Sequence, residues 1–517
     1  MSSIRRSFVR RAEMAAVANL ALLPDAVSRP VAKAAGRALM ALSGVSSFDI
    51  ARHTHETRGL PTTPRDANAE YTLAGTALRD RPHELVQNSP YAKRAIDAHV
   101  ARVIGRGIWP VFAKKEANDL FEKWAPVCYT HNRTGWEGLQ TLAERTRFSS
   151  GAAWGRRRWR KTTDKDLDGR PLAVPLQIQL YEQDQVDTTK EVPPDDSGRR
   201  TMSGVEYDGV GRPVAVWFYR DHPGSIVATR LESVRVPYSD LAHLYREDRP
   251  NQIHGVPDLS SVAMSLWKLD KYENSELTRK WRESNTVAIV AGGEEDPNAD
   301  DADDRTAFAV KDADGNVVEE WGDGQILYAF GDRQISFHQP ATVGGYAEYV
   351  TKILHKIAAG LNLPYYTLSG DLSQYTYASA QIGDNDAQAH VRPWQEQGIV
   401  PMFLQVIVRW FVEAAVASGA LTGAVEDYSV VEWQYPVREV HDRVEAIKAD
   451  FLEMRSVVTT LEDVLAARGR NLAKVIESAK RVAEALDGAK LVSDADTRKV
   501  TQNGMLQTAP RAPAPAA

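Results

Sequence analysis

The stretch from Leu361 to Gln381 reads LNLPYYTLSGDLSQYTYASAQ. It sets one carboxylate, Asp371, among the hydroxyls and amides of Ser369, Ser373, Gln374, Tyr375 and Tyr377. An acid among serines and tyrosines is raw material for a hydrolase. That chemistry needs a nucleophile with a base in reach, or a metal set, and the sequence offers neither around Asp371. The same residues suit a passage for something long and charged. Between Leu361 and Gln388 there is no Lys or Arg, but there are Asp371, Asp384 and Asp386. Fixed cations would hold phosphates at each step and release their counterions, whereas hydroxyls, amides and tyrosines touch weakly and without regard to sequence. A third reading is a loop that packs between copies of the chain.

Other stretches with chemical potential read more plainly. Gly-Lys never occurs, so there is no P-loop, and there is no GxGxxG, HExxH or GxSxG. Asp164, Asp166, Asp168 and Gly169 match half of a calcium loop, but the twelfth position is Pro175 rather than Glu. A solvated turn is expected there. His53 to Glu56 (HTHE) has no partner cluster nearby, so no metal and no cofactor is expected. Arg156 to Lys161 (RRRWRK) has the composition of a nucleic-acid patch, but reads better as the charged end of a hairpin facing the Asp run that follows. The acidic loop DPNADDADDR reads as solvated. Cys128, the single cysteine, follows an apolar pattern and is expected to be a buried small residue. One cysteine allows no disulfide within the chain and fits a reducing compartment.

The elements that hold these residues follow from periodicity. With 517 residues, 43% of them apolar, the chain is long enough for two to four structural units. Its net charge is −6, from 63 basic and 69 acidic residues, which is not the balance of a surface that grips nucleic acid throughout. Residues 1–66 read as a basic arm and linker. Arg5 and Arg6 ahead of an apolar stretch give a superficial export signal, which Glu13, Pro24 and Asp25 interrupt. No run of about 20 apolar residues is present, so no membrane-spanning helix is expected. YAKRAIDAHVARVIGRGIWP places apolar residues at helical spacing until Gly105 and Gly107. LAVPLQIQLYEQDQV alternates with period two, as a half-buried strand does, and VEYDGVGRPVAVWFY reads as a hairpin. Two amphipathic helices, from Pro257 and from about Tyr346, bracket a strand-rich insert. Pro393 and Pro401 predict a kink or break in the helix after the polar loop. The Pro/Ala-rich tail is expected to be disordered.

In four passages the chain resembles the lambda-type portal protein family of tailed bacteriophages. They are LVQNSPYAKRAIDAHVARVIGRGIWP, GVEYDGVGRPVAVWFYRDHPG, LNLPYYTLSGDLSQYTYASAQ and EWQYPVREV with the helices after it, together about residues 80–485. The chain departs from the family pattern at Gln381, where Arg is common, and after Asp442, where an Asp-Pro-x-Lys-like run is usual.

The resemblance implies an α+β, mainly helical portal fold. Its parts would be an arm (1–66), a wing (67–256), a stem helix (257–285), a clip insert (286–340), a second stem helix (341–360), a tunnel loop (361–381), tunnel and wing helices (382–435), crown helices (436–490) and a disordered tail (491–517). It implies a dodecameric ring at one capsid vertex of the virion, assembled in the host cytoplasm, and no enzyme activity. The implied partners are further copies of the chain, double-stranded DNA in the channel, the terminase large subunit, the major capsid or scaffold protein and a head–tail connector or adaptor, with no membrane. Ser369, Asp371, Ser373, Gln374, Tyr375 and Tyr377 would then line the tunnel. The stem cations Lys268, Lys271, Arg279, Lys280 and Arg282 would touch phosphate or pair with acids on a neighbouring subunit. The amphipathic stem helices would bury stripes such as Ile353 and Leu354 between subunits. The alternatives are an exported envelope protein and a hydrolase built on Asp371.

Overall fold

The computed structural model describes residues 66–131, 134–165, 169–226, 232–285, 288–291, 326–329, 345–436, 443–470 and 472–491, with single positions as far as 498. The expectations for the arm, for His53 to Glu56, for the acidic loop, for most of the 286–340 insert and for the tail lie outside these residues.

Two helices come first, α1 (Ala67–Asn88) and α2 (Pro90–Val103). Pro90 stands at the first helical position, where a missing N–H costs nothing. Ala92, Ala95, Ile96, Val100 and Val103 form the buried stripe of α2. Gly105 and Gly107 then turn the chain with φ of +48° and +89°, which glycine adopts without strain. After β1 (Trp109–Phe112) come α3 (Lys115–Trp124) and α4 (Gly135–Ser150).

The middle region is built of strands, as its alternation predicts. β2 (Ala152–Trp159), β3 (Leu176–Glu182) and β8 (Leu241–Tyr245) form an antiparallel sheet in the order β3-β2-β8. β4 (Arg200–Met202), β5 (Val205–Tyr207), β6 (Pro213–Tyr219) and β7 (Ser233–Pro237) form an antiparallel meander. The three-stranded sheet is a partition between two cores. Leu176, Ile178, Ala153 and Leu244 belong to the main core, while Trp154, Tyr181 and Leu241 belong to a second core shared with β5, β6 and β7. That corrects the expectation of a half-buried β3. Tyr181 is buried because the meander covers the sheet's other face, and Gln177 is buried with its amide donating to the Val127 carbonyl at 3.0 Å.

Pro257 leads into a 3-10 turn (Asp258–Ser261) and then α5 (Ala263–Asn285). The fragments β9 (Ala288–Ala291) and β10 (Ile326–Ala329) pair in parallel, in the stretch expected to hold short strands. α6 (Tyr346–Gly360) corrects a second expectation. Leu354 is buried and Ile353 packs on the core of its own chain. The α6 stripe is therefore used within the protomer, because α5 and α7 (Tyr365–Ser369) lie against it.

Of the kink or break expected at the prolines, the break is absent and an irregular stretch stands at Pro401. α8 (Tyr377–Trp394), a π-helical stretch (Gln395–Leu404) and α9 (Gln405–Ala417) run on without a break. Wider i→i+5 turns take up the missing Pro401 donor. The run Ala378–Ala417 is therefore long and apolar enough to cross a membrane by length and composition, contrary to the sequence expectation, which rested on the absence of an unbroken run of about 20 apolar residues. It is nonetheless the core helix of this fold. In its most apolar window 61% of the surface is buried inside the protein, with Phe403, Leu404, Ile407 and Phe411 at the centre. β11 (Val430–Gln434) returns to pair antiparallel with β1. Then come α10 (Arg443–Arg455), α11 (Leu461–Ala467) and α12 (Leu472–Gly488), with α11 ending just before Gly469, as its glycine predicts. α10 and α11 bury no residue.

Candidate nucleic-acid interface

The polar segment is anchored at its base and free at its tip. Its N-terminal half is not a loop, since Tyr365–Ser369 form the short helix α7 behind Pro364. Gly370 closes that helix in the left-handed conformation, with φ +76°. The tip then makes its own turns. Ser369 Oγ donates to the Tyr365 carbonyl at 3.0 Å and accepts the Asp371 amide at 3.1 Å. Asp371 accepts the Ser373 amide at 2.9 Å. The Ser373 hydroxyl, and then its amide, hold the Asp371 carboxyl below the usual range, so it carries its full charge. Thr376 caps α8, with its Oγ1 accepting the Ser379 amide at 3.3 Å.

Asp371, Leu372, Ser373 and Gln374 are exposed, Ser369 and Tyr375 half-buried. Tyr375 meets Tyr366 edge-on at 5.1 Å. Tyr377 is the first residue of α8. The structure thus brings the predicted tip residues together, and leaves Asp371 with serine and backbone neighbours that supply no general base.

The base of the segment is tied down, and Asp384, one of the acids expected along the passage, is part of the tie. Arg102 of α2 donates to Asp384 at 2.7 Å and to the Thr367 hydroxyl at 3.0 Å. Arg94, two turns earlier on the same face, donates to the Thr367 carbonyl at 2.8 Å. The Tyr366 hydroxyl is pushed up to about 12, first by burial and then by its bond to Asp384. Deeper in, Arg147 is fully buried and forks onto Glu144 (2.8 Å) and Asp258 (2.9 Å). Burial alone would lower the Arg147 pKa, but Asp258 and Glu144 more than offset it and raise it. His99 approaches Glu144 at 2.8 Å, and the Trp394 indole donates to the same oxygen at 3.1 Å. Trp394 also lies between the guanidinium groups of Arg147 (4.7 Å) and Arg246 (5.0 Å). This cluster joins α2, α4, the start of the α5 region and the end of α8. Within one helix the Glu144–Arg147 spacing was readable. The partners Asp258 and Trp394 lie 111 and 250 residues away from theirs.

The cations expected on a stem stand apart, on α5. Lys268 and Lys280 are exposed, Lys271 sits 3.9 Å over the Trp267 ring, and Arg279 pairs with Glu276 of its own helix. Arg282 lies in the last turn of α5, and its side chain lies outside the described residues. The Arg156–Lys161 run behaves as a charged hairpin end. Arg157 pairs with Asp240 (2.8 Å) and Glu413 (3.2 Å), and Arg160 with Asp164 (3.2 Å). Cys128 is buried, and burial pushes its thiol far up.

Two further groupings resemble chemistry. His83 Nε2 meets Ser150 Oγ at 2.7 Å, but Ser150 is fully buried, closed to any substrate. Glu182, Asp184 and His222 bring ligand atoms within 4.8 Å of one another. Asp184 is already held by Arg79 at 2.5 Å. His222 Nδ1 accepts the Gly224 amide at 3.1 Å, which puts the ring proton on Nε2, the nitrogen facing Glu182. That tautomer suits a hydrogen bond and not a metal.

Comparison with known proteins agrees on one family. The family model for "Phage portal protein, lambda family" matches residues 53–395. A "Probable portal protein" of Halomonas phage phiHAP-1 is 24% identical over 305 residues, which cover 57% of this chain and 57% of that protein. The match thus spans little more than half of the relative's length. Among solved structures, a chain from the "Neck of empty GTA particle computed with C6 symmetry" has a TM-score of 0.37 and 13% identity, over 77% of this chain and 93% of the other. A chain from the "Neck of native GTA particle computed with C12 symmetry" has a TM-score of 0.36 and 12% identity, over 76% and 95%. At those scores neither structure bears on the argument that follows.

Proposed function

The chain belongs to the lambda family of phage portal proteins, a structural rather than enzymatic family, and from that membership we propose that it forms a dodecameric ring at one capsid vertex. The ring is the conduit for DNA during packaging and ejection. It is also the platform on which terminase docks and, later, the head–tail connector, with the capsid or scaffold protein around it. The protein assembles in the host cytoplasm and ends in the virion. The family match over residues 53–395 carries the reading.

Within it, residues 369–377 are the tunnel tip. An exposed turn without Lys or Arg, tied to the body only at its base, supports that role. Twelve copies at −6 each give a ring of about −72, which disfavours retention of DNA. The α5 region and α6 are the stem, residues 67–256 the wing, 286–340 the clip and α10 to α12 the crown. The hydrolase alternative has no support at Asp371, whose partners are Ser373 and the turn itself.

Native mass spectrometry of the full chain, with negative-stain images of the same sample, tests the proposal. A closed ring near twelve subunits with a central hole is the expected result. A compact dimer without a channel overturns it.

A further inference from the structure

A heptad repeat runs straight through the break between α10 and α11. Val444, Ile447, Phe451 and Met454 of α10, Val458 in the turn, and Leu461 and Leu465 of α11 alternate at spacings of three and four residues. That is the a and d pattern of a coiled-coil seam. No Gly or Pro stands between Arg443 and Arg468, so the sequence suits one unbroken helix over 443–467.

The chain bends there all the same. Val457 ends α10 in the left-handed region, with φ +58°. Its amide donates to the Met454 carbonyl at 3.2 Å, and the Val458 amide to the Glu453 carbonyl at 3.0 Å, the hydrogen bonds of a helix end that normally uses glycine. A β-branched residue holds that conformation only under strain. An ion pair from Arg468 to Asp450 ties α11 back to α10. The interrupted seam faces water. Val444, Phe451 and Val458 are 62%, 49% and 72% exposed, and neither helix has a buried residue.

A helix that covers this seam must match it in length. α12 repeats the pattern at Leu472, Val475, Ala479, Val482 and Leu486, but over two heptads, about 21 Å against about 32 Å for the seam. It is also held elsewhere, by Lys474 on Glu122 of α3. The same segment of a second copy does match. In the ring proposed above, copies related by rotation run in the same direction. Parallel seams set Asp450, just before an a position, beside Arg455 of the neighbour, just after a d position.

We propose that α10 and α11 join into one straight helix when the same segment of a second copy of this chain covers the seam, and that Val457 and the Asp450–Arg468 pair keep the protomer bent until then. Straightening sets residues 450 and 468 about 27 Å apart along the helix, so the pair opens.

Spin labels on Ala449→Cys and Ala467→Cys, beside the two ends of that pair, report the change, since Cys128 is buried away from label. Dipolar spectroscopy of the full chain should give about 27 Å or more in the assembled protein and a clearly shorter distance in dilute protomers. Phe451→Asp should keep the short distance and weaken association at least tenfold by native mass spectrometry, with an unchanged circular-dichroism melt. Val457→Gly relieves the bent form and should weaken association too. Val482→Asp, on the α12 repeat, should change neither distance nor association. A short distance in closed rings overturns this inference and leaves the ring standing. A long distance in isolated protomers overturns it as well, as does a short distance in Val482→Asp assemblies, which would make α12 the occupant. A long distance in assemblies that are not rings keeps the seam and overturns the ring, and a chain that never associates overturns both.

Discussion

His254 is neutral in the folded chain because both of its nitrogens are spoken for. Gln183 donates to Nδ1 at 2.8 Å, and Nε2–H donates to the Ser203 carbonyl at 2.9 Å. Tyr71 lies 5.0 Å from the ring, and Arg79, bound to that tyrosine at 2.7 Å, adds a positive charge. Burial first, and Arg79 after it, bring its pKa from 6.5 to about 4. His243, stacked on Trp154 at 3.5 Å, is lowered by burial and by His254. Between pH 6.5 and 4 the unfolded chain therefore binds more protons than the folded one, and stability falls as pH falls. The drop from His254 alone reaches about 3 kcal/mol at pH 4. Urea melts at pH 7 and pH 4.5 should show it, and His254→Asn should flatten the slope. Equal midpoints for the unaltered chain at both pH values would contradict the buried, neutral state. No local pattern around either histidine marked this, since Gln183 and Ser203 reach His254 from far along the chain.

Between elements, what the sequence reveals depends on where the partner lies. The buried side of α2, its glycine stop and the strands of the middle region were legible, because a 3.6- or two-residue period is written into neighbouring residues. Pro393 and Pro401 marked the irregular stretch but not its continuity. A break is their local preference, but Phe403, Ile407 and Phe411 gain more from one continuous core helix. The tip of the candidate interface was legible as a polar, cation-free turn. Its anchor was not, because Arg102 and Asp384 meet across 282 residues. The anchor makes a prediction at this scale. Arg102→Ala should free α8 from α2 and speed amide exchange in residues 377–391 by about tenfold, as expected for a lost half-buried charged bond. Exchange in α9 should not change. Equal acceleration in α9 would mean global loosening and no local tie.

For the whole molecule, the tunnel reading is a statement about phosphate contacts. A ring whose tips carry no cations should bind double-stranded DNA weakly, with a shallow dependence of log Kd on log salt. Ser373→Arg puts one cation on every tip. Affinity should then rise at least tenfold at low salt, and the salt slope should steepen by several units, since each neutralised phosphate adds about 0.9. Fluorescence anisotropy of a DNA duplex across salt concentrations measures both. An unchanged slope would move the tips away from the DNA path.

The π-helical stretch has one more consequence. It lies midway along a single rod whose far half is fixed in the core and whose near half carries the polar tip. On a helix each residue advances the angle by about 100°. One residue added or removed between Gln395 and Leu404 would swing the near half by about that angle and part Arg102 from Asp384 and Trp394 from Glu144. Surplus turns of this kind work like the phase adjustment on a shaft. The length of these ten residues, six of them buried, is thus what keeps the near half in step with the helices it is bonded to.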